Sequence, residues 1–147
     1  MPTLPEQFLI ELTTRLHARI TALFPAQNGG ALRGNSFALE REQRPGIRVD
    51  DGVWQTRIAT NQCDMECSGA CSIIVTADSE AERDVLVNAA YRALDHRTTP
   101  WPMKILKAAP TEIRYTRGGA DQTAFVATLP IAVGPYPVKA YQLDAPS

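Results

Sequence analysis

Over the first two dozen positions of the chain, apolar residues recur every three or four places: Leu9, Leu12, Leu16, Ile20, Leu23 and Phe24. That spacing lays one apolar stripe along a helix and predicts a helix over residues 4–24. Thr3 is placed to cap it, and Pro5 falls near the first turn, where a missing N–H costs little. Pro25 and the run from Asn28 to Gly30 end it.

The period then shortens. Residues 31–60 read as short extended segments, "GNSFALERE" and "GIRV", with turn chemistry at Arg44–Gly46 and at Asp50–Gly52 before "VWQTRIAT" starts another strand. Residues 61–77 continue as extended chain with a two-residue alternation. Cys63, Met65, Cys67, Gly69, Cys71, Ile73 and Val75 fall on one side, and Gln62, Asp64, Glu66, Ser68, Ala70 and Ser72 on the other. The first side is apolar and holds every cysteine of the chain; the second is mostly polar.

A second helix begins at "SEAE". Ser79 can accept from the Glu82 amide while Glu82 reaches back, the reciprocal arrangement of a capping box. Its buried face reads as Val85, Leu86, Ala89, Ala90, Ala93 and Leu94, and it ends over Asp95–Thr99, before Pro100 and Pro102. The last third is a hairpin: "TEIRYTR", a turn at "GGAD", and "TAFVATLPIAV" with Thr123, Phe125, Ala127, Leu129, Ile131 and Val133 on one face. Pro130 has no N–H for a ladder and marks an edge or a bulge. The tail "GPYPVKAYQLDAPS", with three prolines, reads as irregular chain or an exposed arm. The expected fold is α+β: a mainly antiparallel sheet, an N-terminal helix, and a second helix packed on one face. We expect one domain over residues 1–136, followed by a Pro-containing tail over 137–147.

Composition narrows the functional classes. With 147 residues the chain fits one domain with a substantial core, and a net charge of −1 lacks the basic excess of a nucleic-acid-binding domain. No apolar run is long enough to span a bilayer, and "MPTLPEQFLIEL" lacks the basic start of a signal peptide. The expected setting is a reducing cytoplasm without lasting disulfides, and with three cysteines at least one must stay unpaired within the chain.

The stretch "NQCDMECSGACS" is the strongest chemical candidate, with Cys63, Cys67 and Cys71 spaced C-x3-C-x3-C. A structural zinc site needs four ligands, and the only histidines, His17 and His96, lie in no metal-binding context. An iron–sulfur cluster needs about as many ligands, commonly on a loop. Residues four apart on a strand stand about 13 Å apart, so these thiolates cannot converge while the strand stays extended. Packing as small hydrophobes is the reading adopted; a metal site on a loop folded back around Gly69, or thiol oxidation, are the alternatives.

Asp64 and Glu66 fit a solvated strand face better than acid–base chemistry. Arg41, Arg44, Arg48 and Arg57, with Arg33 nearby, could form an anion footprint, but Glu40, Glu42, Asp50 and Asp51 interleave with them. A salt-bridged surface or a charged subunit interface suits that pattern better. His96 suits a helix C-terminus; "GALRGNS" lacks the ending of a phosphate loop; Trp54 and Trp101 read as core or interface anchors. No catalytic constellation emerges, which favours a structural or adaptor role with no cofactor.

An N-terminal helix, a region of strands, a strand running into "VTADSEAERDVLVNAAYRAL" and a closing hairpin ending "AFVATLPIAVGPY" together resemble phage tail terminator proteins and the related tail-completion and neck proteins. The resemblance covers the layout of residues 4–136. It implies a structural virion protein, not an enzyme, whose subunits close into a ring, hexameric in expectation, on the tail tube. Such a ring would end tube polymerisation and join the tube to the head connector by heterologous contacts that close on rotation. The implied partners are other copies of the chain, the tail tube protein and the head–tail connector, with lumenal DNA passing nearby and no membrane. The implied location is the virion tail or neck, assembled in the bacterial host cytoplasm. Arg41, Arg44, Arg48 and Arg57 would be candidate subunit or tube contacts. The competing class is a metal or redox protein built on the three cysteines, and another is a tail-tube or baseplate adaptor.

Overall fold

The computed structural model describes residues 4–24, 30–34, 45–58, 64–95, 108–118 and 123–139. In chain order these form α1 (Leu4–Leu23), β1 (Gly30–Gly34), β2 (Gly46–Ile58), β3 (Asp64–Ala77), α2 (Glu80–Leu94), β4 (Ala108–Pro110), β5 (Arg114–Gly118) and β6 (Ala124–Lys139). The strands make one sheet in the order β1-β2-β3-β6-β4, with β5 also on β6. β1 runs parallel to β2, and every other pair is antiparallel. The architecture is the α+β arrangement expected, with both helices on one face of a mainly antiparallel sheet.

Period and burial agree along α1. Phe8, Leu9, Leu12, Leu16 and Ile20 are buried, one per turn or nearly so, while Leu23 is exposed and Phe24 packs at the rim of the core. Glu11 and Arg15 pair at 2.9 Å across one turn of the same helix. α2 starts where the sequence marks it: the Ser79 hydroxyl accepts from the Glu82 amide at 3.2 Å, and the Ser79 carbonyl accepts from Arg83. Its buried face is Leu86, Val87, Ala89, Ala90, Ala93 and Leu94, so Val87 takes the place expected for Val85, which is exposed. The alanines let α2 lie close to β3 and β6, while α1 covers β1 and β2.

The main core lies between these helices and the odd-numbered side of β3 and β6: Cys67, Cys71, Ile73, Val75 and Ala77 against Ala127, Leu129, Ile131 and Val133. Each fully buried Leu or Ile there contributes about 1.5–3 kcal/mol. The polar side of β3 is less uniform than its alternation suggests. Ile74 is buried with Ala124 and Val126 in a second cluster, and Thr76 is buried on the same side.

Two segments differ from the sequence reading. Asp50–Gly52 is not a turn between strands but a bulge inside the single strand β2. And β6 does not end at Val133: it runs on through Lys139, taking in residues read as irregular tail. The segment "GNSFALERE" and the "GGAD" turn fall wholly or partly outside the described residues.

Candidate functional site: the cysteine strand and the three-stranded end of the sheet

Cys67 and Cys71 lie on the helix-facing side of β3, each 2% exposed, and both are free thiols. The strand stays extended through both, so they stand about 13 Å apart along it, too far to share a metal or a disulfide. Burial, reinforced by the carboxylates of Asp50 and then Asp51, pushes the Cys71 thiol up to about 12, away from the thiolate form that nucleophilic or metal chemistry needs. Cys63 lies outside the described residues, and among the described residues no group of three His, Cys, Asp or Glu side chains is placed to hold a metal ion.

Beside these cysteines the described part of the sheet narrows. β1 covers β2 only along Gly46–Asp50, and β4 reaches β6 only at Ile131–Val133. Beyond those limits the described sheet has three strands, in register to the end: Ile58 opposite Met65, and Asp64 opposite Lys139. Two glycine bulges mark the transition. On β2, Asp51 and Gly52 together oppose the single residue Cys71; on β6, Gly134 and Pro135 together oppose Ser68. Both glycines have left-handed backbones, φ 74° at Gly52 and 88° at Gly134.

The β2 bulge decides which side chains reach the core. Ile47 and Val49 face the helices, so plain alternation would send Val53 to them and Trp54 away. The extra residue reverses the alternation. Val53 is 71% exposed, and Trp54 turns toward α1, its ring edge-on to Phe8 with centroids 5.8 Å apart and planes at 62°. The bulge closes on itself: Gly52 N–H donates to Asp50 Oδ1 at 3.2 Å, and Trp54 Nε1–H donates to the Asp51 carbonyl at 2.8 Å. The same turn of chain brings the Asp50 and Asp51 carboxylates near enough to Cys71 to act on its thiol.

Of the four arginines, only Arg48 has a described side chain. Arg41 and Arg44 lie outside the described residues. Arg48 is half-buried on β2 in register with Ile74, and Arg57 lies on the far side of the bulge in register with Glu66. Glu66 is partly buried; the side chain of Asp64 is not described. His17 is exposed on α1, while His96 and Trp101 lie outside the described residues.

A second charged and aromatic group, not marked by the sequence reading, lies at β5. The Arg83 guanidinium stands 4.5 Å over the Tyr115 ring and Arg117 stands 4.1 Å over Phe125. Arg114 forms a two-point pair with Glu112, at 2.9 and 3.1 Å, which lowers the carboxyl and raises the guanidinium from their ordinary values. The two ring contacts join residues from different elements, which is why only the alternation of "TEIRYTR" is visible in the sequence. Asp84 and Glu112 offset two of its three guanidinium charges.

No family model matches the chain, and no curated protein matches it. Among solved structures it is similar to a chain of the "Virion of native gene transfer agent (GTA) particle", with a TM-score of 0.59 and 13% identity over 94% of this chain and 96% of that one. The two share a fold across nearly their whole lengths. No helix among the described residues is long and apolar enough to cross a membrane.

Proposed function

We propose that the chain is a structural virion protein of a tailed phage or phage-like particle. In this reading it is a tail terminator or tail-completion protein, assembling as a ring, hexameric in expectation, on the tail tube. The observation that carries this reading is the near end-to-end overlap in fold with a chain of a gene transfer agent virion, at 94% and 96% of the two lengths. The element order that resembles tail terminators points the same way, and the two described cysteines are buried in the core.

On this reading the chain is not an enzyme and carries no cofactor. Its partners are further copies of itself, the tail tube protein and the head–tail connector, and DNA passes through the lumen without being read in sequence. It works in the tail or neck after assembly in the host cytoplasm. Arg41, Arg44, Arg48 and Arg57 are the candidate subunit or tube contacts, with heterologous contacts closing the ring. Deleting the gene and imaging lysates by negative-stain electron microscopy tests the proposal. Overlong tails without heads are expected; tails of normal length joined to filled heads would overturn it.

A further inference from the structure

In a strand, the N–H and C=O of one residue point to the same neighbour and those of the next residue point to the other. The Pro130 carbonyl accepts from both the amide and the hydroxyl of Thr111, at 2.9 and 3.3 Å, so residue 130 points to the outer side of β6, where β4 and β5 lie. Residues 131 and 133 therefore point inward to β3. Without a bulge, Pro135 and Pro137 would share that direction, and each would leave a β3 carbonyl without its donor. The bulge changes this. It places Tyr136 opposite Cys67 and Val138 opposite Met65, which turns residues 136 and 138 to β3 and residues 135, 137 and 139 outward.

Beyond Val133 no strand among the described residues lies on that outer side. An unpaired strand edge is a template for strand addition, and its outward N–H groups are half of what a new ladder needs. Here two of the three outward nitrogens belong to proline and carry no hydrogen. We propose that Pro135 and Pro137 close this edge of β6 to strand addition by a second copy of the chain, and that the Gly134 bulge is the device that turns them outward. The edge is thereby kept out of sheet-to-sheet growth, whatever else the chain assembles with. Pro130 faces the same way but is flanked by β4 and β5, so it guards nothing: its carbonyl is already taken.

The test uses the full chain, comparing P135T/P137T with the wild type and with P130T by sedimentation velocity over a concentration series, with far-UV circular dichroism as a fold check. The double variant is expected to form concentration-dependent species heavier than the largest wild-type assembly, with P130T matching wild type. Three results would each overturn the proposal: a double variant that sediments like wild type, a P130T variant that associates as strongly, or a double variant that loses the wild-type spectrum. The last would mean that the two nitrogens face a partner inside the fold.

Discussion

The indole of Trp54 lies directly across Gly69, its register partner on β3: a Cβ on that glycine would stand 2.7 Å from the Trp54 Cδ2 and Cε3 atoms and 2.6 Å from the Val53 carbonyl oxygen. The glycine is there for close approach, since the ring covers backbone that a side chain would otherwise shield, and its far edge reaches Phe8 on α1. Gly69→Ala must push the ring or the Val53 backbone aside and is expected to cost about 1–3 kcal/mol. Urea unfolding should show a lower midpoint with an unchanged slope. A midpoint equal to wild type would mean that Trp54 yields freely and does not fix the strand against the helix.

Gly52 is held more tightly still. Its φ of 74° suits no β-carbon, and one built there would lie 1.8 Å from the Ala70 carbonyl oxygen, a backbone atom that cannot rotate away. Gly52→Ala is expected to cost more than Gly69→Ala, about 3 kcal/mol or above, because it attacks both the conformation and the ladder. The check is the order of the two urea midpoints. A milder loss at Gly52 than at Gly69 would show that β2 can shed its bulge and re-pair.

That bulge also separates what the sequence made legible from what it hid. α1, α2 and the Ser79 cap were readable because their signals are local, three or four residues apart, and so was the one-sided placement of Cys67, Cys71, Ile73 and Val75. The exchange of Val85 for Val87 is a rotation of about 100° per residue on a helix whose small alanines leave the apolar arc loosely defined. At the two bulges the reading failed for one reason, repeated. A bulge reverses the alternation, so "DDG" looked like a turn, Trp54 had no readable face, and the proline-containing end of β6 looked irregular. The available signal was a single glycine inside each alternating run, at positions 52 and 134, which marks a bulge as readily as a break. The contact of Arg117 with Phe125 depends on the pairing of β5 with β6, and that of Arg83 with Tyr115 on α2 packing beside β5, so neither had a local signal.

The Ser79 cap gives a cleaner local test. Its hydroxyl satisfies the Glu82 amide, one of the donors left over at the helix start. Ser79→Ala should lower stability by about 1 kcal/mol, and Ser79→Asp should retain most of it, since a carboxylate both accepts the bond and suits the positive end of the helix. Thermal melts of the three proteins decide the matter. Equal melting temperatures for Ser79→Ala and wild type would make the bond incidental.

Under the ring reading, Arg57 separates assembly from folding. It stands beyond the β2 bulge, in register with Glu66, where the described sheet has only three strands. Arg57→Ala is expected to reduce the fraction of assembled ring in native mass spectrometry while moving the stability of the subunit by no more than about 0.5 kcal/mol. A variant that assembles as wild type does removes Arg57 from the interface. One that unfolds assigns it to the sheet instead.

Cys71 makes alkaline stability a report on its burial. Its thiol titrates near 12 in the folded chain against an ordinary value of 9.0, because burial and then the Asp50 and Asp51 carboxylates oppose the thiolate. Below the ordinary value the thiol is protonated in both states and adds no pH dependence. Above it the unfolded chain loses the proton while the folded chain keeps it, so stability falls as pH rises from about 9 to about 12, by about 1.4 kcal/mol per unit. Cys71→Ala removes this dependence while leaving every other titrating group in place. The stability advantage of wild type over the variant should therefore shrink by about 1.4 kcal/mol between about pH 7 and about pH 10. A constant gap would mean that the folded thiol ionises at its ordinary pH. It would then be open to alkylation in the native state, and the packing reading of the cysteine strand would give way to a chemical one.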